Sequence, residues 1–146
     1  MRRLAGFLMA IALLSAPRAQ ARDILLNLDI YDAMHDPASA QQIGTDIAFF
    51  FAGQNTPPIG QTYEEFDSPQ KAALTEAPEA QACRSAFLSA LAKLRERTLA
   101  TGGNAVVNIV SDFKKKVSAS DISYECHAGT IHVGVALKGT IFKLQS

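Results

Sequence analysis

Cys83-Arg84-Ser85-Ala86-Phe87-Leu88-Ser89-Ala90-Leu91-Ala92-Lys93-Leu94 is the stretch whose reading decides the fold. Cys83, Phe87, Leu91 and Leu94 recur at steps of four and three, the spacing that puts side chains on one stripe of an α-helix. Ser85, Ser89, Lys93, Glu96 and Arg97 fall mainly off that stripe. Pro78 fits the first helical position, where its missing N–H does no harm, and Glu79 complements the positive end of the helix dipole. Thr101-Gly102-Gly103 supplies the stop. A helix from about Pro78 to Leu99 is therefore expected, with Cys83 on its buried face.

Working outward, Asn104 to Phe113 is a β-branched run that reads as a strand, and Lys114-Lys115-Lys116 as the turn after it. Ser120 to Cys126 is the expected partner of that strand. In it Ile122, Tyr124 and Cys126 share one face and Asp121, Ser123 and Glu125 take the other. Ile131 to Leu137 alternates again, with Ile131, Val133, Val135 and Leu137 inward, and Ile141, Phe142 and Leu144 close the chain after Gly139.

On the N-terminal side, Asp23 to Ile30 alternates as a strand, Tyr31 to Pro37 reads as a polar connection, and Pro37 to Gln42 as a single helical turn ended by Gly44. Asp46 to Ala52 has apolar residues on both faces, which predicts a central strand. Ile59 to Phe66 reads as a hairpin partner at a sheet edge, and Asp67 to Ala77 as the link into the helix. These elements predict an α+β domain: one long helix packed on a mainly antiparallel, curved sheet.

The chain begins with a short basic segment, Met1-Arg2-Arg3, an apolar run of about 11 residues from Leu4 to Leu14, and the small-residue site Ala19-Gln20-Ala21. This reads as a secretory signal over residues 1–21, cut after Ala21, with residues 22–146 forming one domain in the periplasm. The apolar run falls short of the roughly 20 residues a membrane-spanning helix needs, so no span is expected after cleavage. Losing Arg2, Arg3 and Arg18 leaves eleven Lys and Arg against fourteen Asp and Glu. That mildly acidic balance gives no general attraction for nucleic acid or an anionic bilayer.

In an oxidising compartment an even pair of cysteines is first a disulfide. Cys83 on the helix stripe and Cys126 on an inward strand face both point between helix and sheet, so they can meet. A closed loop of roughly 43 residues stabilises by about 4 kcal/mol in the chain-entropy treatment. The alternative is a redox pair, but Cys83 lies more than a turn into the helix and no Cys-x-x-Cys is present. His127 and His132 offer a metal-handling alternative. Neighbouring strand residues point oppositely, however, so Cys126 and His127 share an ion only across a bulge. The lysines at 114, 115 and 116 read as a solvated turn that blocks edge pairing, with contact to an anionic partner as the functional alternative. Asp29, Asp32, His35 and Asp36 read as a polar loop. No nucleophile motif, paired acid or phosphate loop is found, and Lys138-Gly139-Thr140 has the wrong order for one.

The segments Gln81-Ala82-Cys83-Arg84, Ala86 to Leu91, Gly103 to Ile109, Glu125 to Gly129 and Gly134 to Gly139 resemble small exported proteobacterial proteins that often carry an excinuclease ABC or excinuclease ATPase label. Such an ATPase needs phosphate loops and cysteine-rich zinc modules that this sequence lacks, so a DNA-repair role is rejected. The helix followed by Gly-Asn-Ala-Val-Val is more distantly similar to the YbjQ-type domain and to the sensor lipoprotein of the Rcs envelope-stress system. That resemblance implies a helix-on-sheet fold and, for the exported members, disulfide bracing. The functional expectation is a non-enzymatic envelope domain without cofactor, binding another envelope protein or a small ligand. A redox or metal role through Cys83, Cys126, His127 and His132 is the alternative.

Overall fold

The computed structural model describes residues 22–75 and 77–145, so the expected signal segment lies outside the described residues. In chain order the elements are β1 (Ile24–Asp29), α1 (Ile30–Met34), α2 (Ser39–Ile43), β2 (Ala48–Phe51) and β3 (Ile59–Ala73). They are followed by α3 (Glu79–Thr101), β4 (Ala105–Phe113), β5 (Lys116–Ser118), β6 (Ser123–Ala128) and β7 (His132–Leu144). The class is α+β, with one long helix on a curled, mostly antiparallel sheet; the only parallel pair among the described strands is β2 with β4.

The helix forms where its period demands, burying Cys83, Phe87, Leu91, Leu94 and Thr98 along one stripe against β3 and β7. Pro78 is the N-cap rather than the first helical residue; its extended ψ of 147° leaves its carbonyl to accept from Gln81 and Ala82. Gly102 ends the helix at φ 88°, a left-handed conformation that glycine adopts without a Cβ penalty. On the other flank of α3 sit α1 and α2, contributing Ile30, Ala33 and Ile43 to the same core.

Strand β7 is the spine. β3 runs antiparallel along its whole length on one edge, while the other edge meets β6 near Gly134 and then β4 from Leu137 to Phe142. β4 is bent by a bulge between Val107 and Val110, where Asn108 takes φ 51°. Asparagine tolerates that conformation better than other non-glycine residues, and a bulge sharpens local twist. Gly139 lies across the bend: a Cβ there would fall 2.5 Å from Val106 Cγ1, so only glycine lets the two strands close.

Several expectations are corrected. The Asp46–Ala52 strand is not central: β2 ends the sheet path, paired with β4 alone, and Ala48, Phe49 and Phe50 are only half-buried there. The segment after Phe66 is no linker, because the β3 ladder continues through Pro69 to Ala73. Proline is tolerated there because β3 is an edge strand paired only with β7. β3 pairs with β7 rather than β2, and β4 hairpins with β5, not with the Ser120–Cys126 strand, which pairs with β1 and β7. Tyr31 to Met34 is helix. Ile122 and Ile131 are exposed, because each sits in a turn just outside its strand, where alternation no longer fixes direction.

Candidate binding face and the neighbouring cleft

The two cysteines meet as expected. Cys83 of α3 and Cys126 of β6 form a disulfide with Cα atoms 5.9 Å apart, and both residues are 0% exposed. Around it the rings of Phe87 and Tyr124 stack at 4.0 Å. Burial of Tyr124 pushes its hydroxyl up to about 12, since the phenolate would be poorly solvated there.

His127 follows Cys126 and so points away from the helix. Its ring lies flat on Phe113 at 3.7 Å, between Asp23 and Glu125, whose carboxylate oxygens stand 3.5 and 3.7 Å from its two ring nitrogens. The three lysines reach the same end of the molecule. Lys114 and Lys115, with φ of 51° and 63°, are the two-residue turn between β4 and β5, and Lys116 begins β5. Positive φ at both central residues is the pattern of a type I′ hairpin, which suits the right-handed strand twist but is strained for lysine.

Lys115 donates to Asp67 at 3.0 Å, and that hydrogen bond holds its ammonium above the usual lysine range. Lys114 lies over the Phe113 ring, 5.6 Å from its centroid. Lys114, Lys116, His127 and Glu125 line a hollow of about 400 Å³. His132 joins His127, Lys71 and Lys114 at an adjacent hollow of about 340 Å³. The structure thus gathers His127, His132 and the lysine turn around Phe113, with charges of both signs. Among the described residues no group of three or more His, Cys, Asp or Glu is arranged to hold a metal ion. The sulfur atoms, buried on the other face and bonded to each other, are separated from both histidines by the sheet.

A second concavity was not legible in the sequence. The curl brings the start of α1 opposite the end of β2, leaving a cleft of about 410 Å³. Its walls include Ile30, Met34, Phe49, Phe51 and Ile122, with Tyr31 and His35 stacked at 3.8 Å on one lip. The lips are fixed by backbone and side-chain bonds: Ile30 N donates to Ile122 O at 3.0 Å. Gln54 receives the Phe51 N–H at 2.9 Å while its amide donates to Asp121 O at 3.1 Å. Asp29 caps α1 by accepting from Asp32 N at 2.9 Å. That Asp-x-x-Asp start was the available signal for α1, which is too short to show helical periodicity.

Among the described residues no helix is long and apolar enough to cross a membrane. Compared with family models, curated proteins and solved structures, the chain finds no significant match.

Proposed function

We propose that this chain is an exported domain of the cell envelope that binds a partner, either another envelope protein or a small ligand, and performs no catalysis. On this reading residues 1–21 are removed after Ala21 and the remainder works in the periplasm. The observation that carries it is the completely buried Cys83–Cys126 disulfide, which ties the helix to the sheet in a position suited to bracing and closed to thiol exchange. The basic start, apolar run and Ala-x-Ala site support export independently.

Fractionation of cells expressing the full chain, followed by maleimide labelling, tests this. The protein should appear in the envelope fraction, shortened at its N-terminus, and resist labelling until both denaturant and reductant are added. Recovery from the cytosol at full length with free thiols would overturn it.

A further inference from the structure

The geometry points to the cleft between α1 and β2 as a binding site for a small organic cation with an apolar or aromatic body. This rests on the reading of the chain as a binding domain and names the ligand class. The volume of about 410 Å³ lies within the range of about 300–1,000 Å³ usual for small-molecule sites. Phe49 and Phe51 give it an aromatic wall. Tyr31, 66% exposed, and Ile122, 69% exposed, both line it, so two of the large exposed apolar side chains border one opening.

Charge selects the ligand's sign. Asp29 and Asp121 are the acidic residues lining the cleft, no lysine or arginine lines it, and His35 is the one basic side chain among its walls. Asp121 makes no side-chain hydrogen bond or ion pair among the described residues. Arg84, in the hollow on the other side of Asp29, is engaged with Asp36 at 2.8 Å. An ammonium or pyridinium near the aromatic faces gains cation–π attraction as well as the carboxylate field, whereas an anion meets two like charges. The stacked His35 is oriented by its Nδ1, which donates to the Tyr31 carbonyl at 2.9 Å, so the aromatic lip is held before any ligand arrives.

Met34 makes the test direct, because it is the only methionine among the described residues and it lines the cleft. The protein recovered from expressing cells, labelled with ¹³C at methionine methyls and assigned by Met34→Leu, is titrated with 1-methylquinolinium, then separately with benzenesulfonate. The cation should shift the Met34 resonance saturably and bind about tenfold more tightly than the anion. Tyr31→Ala should weaken it about fivefold or more, Tyr31→Phe should retain it, and Asp121→Asn should narrow the preference between cation and anion. No Met34 shift at millimolar cation, equal binding of the anion, or indifference to Tyr31→Ala in a folded, disulfide-bonded protein would each overturn the inference. Those failures leave export and disulfide formation untouched, so they are distinguishable from failure of the envelope reading, which fractionation decides.

Discussion

Two aromatic stacks of nearly equal geometry sit in opposite surroundings in this fold, one in the core and one at the surface. Phe87 and Tyr124 stack at 4.0 Å between helix and sheet, where both are buried, and Tyr31 and His35 stack at 3.8 Å on an open lip. Phe51 joins the regions, buried and packed 6.0 Å from Phe87 while also lining the cleft. Contact geometry alone therefore does not give a contact's worth. The buried pair removes its apolar surface from water and is covered by a disulfide. The exposed pair has one face left over, which is what recognition requires.

The largest effect should come from breaking the buried side. The double replacement Cys83→Ala with Cys126→Ala releases a loop closed over 43 positions and should cost about 4 kcal/mol in denaturant unfolding. A loss below about 1 kcal/mol would mean that the helix is held to the sheet by packing alone and that the disulfide is dispensable there.

Tyr124 sharpens the same contrast through pH. Its hydroxyl ionises near 12 in the folded chain against about 10 when unfolded, so the unfolded state loses its proton first. Stability is therefore full below about pH 10 and falls as pH rises from 10 towards 12. Unfolding free energies measured between pH 9 and about 11.5 should show this slope, and Tyr124→Phe should remove most of it. At the bend of β4, Gly139→Ala forces a methyl to within 2.5 Å of Val106 Cγ1 and should cost about 1–3 kcal/mol, read as a lowered thermal midpoint.

How much of this was legible follows from the length and sidedness of each element. Helix α3 runs for 23 residues with one buried stripe, so the period of Cys83, Phe87, Leu91 and Leu94 identified it, and the phase of Cys126 then implied the bond between layers. Five-residue α1 has room for one buried pair, Ile30 and Ala33, which no periodicity can resolve. The later part of β3 places Ser68 inward, its hydroxyl donating to the Ala90 carbonyl at 2.7 Å, so a polar residue in the core disguised a strand as a linker. His127 and the lysine turn stand out by residue type alone, but their meeting at Phe113 depends on strand order, which local sequence does not carry. The cleft was hidden for the same reason: Tyr31, Phe49 and Ile122 come from three separated segments joined only by the curl.

A smaller effect, and a gain, is expected at the lysine hairpin. Lys115 adopts φ 63°, where its Cβ is unfavourable, so Lys115→Gly should stabilise by up to about 1 kcal/mol, less what the Asp67 contact contributes. That contact is surface-exposed and screened, so the net sign should remain a gain, seen as a raised thermal midpoint.

The smallest effect belongs to the exposed stack, and it is the direct counterpart of the buried one. Truncating Tyr124 to alanine removes a ring from a packed core and should cost about 3–5 kcal/mol, as for other buried aromatics. Truncating Tyr31, 66% exposed, removes a ring whose main neighbour is one face of His35, and His35 keeps its backbone anchor on the Tyr31 carbonyl whatever side chain is present. Helix α1 also keeps its Asp29 cap and the buried Ile30 and Ala33. Tyr31→Ala should therefore change unfolding free energy by no more than about 0.5 kcal/mol in urea titration. A loss of about 2 kcal/mol would show that the ring holds α1 against the body of the protein, and the two stacks would then differ in exposure but not in purpose.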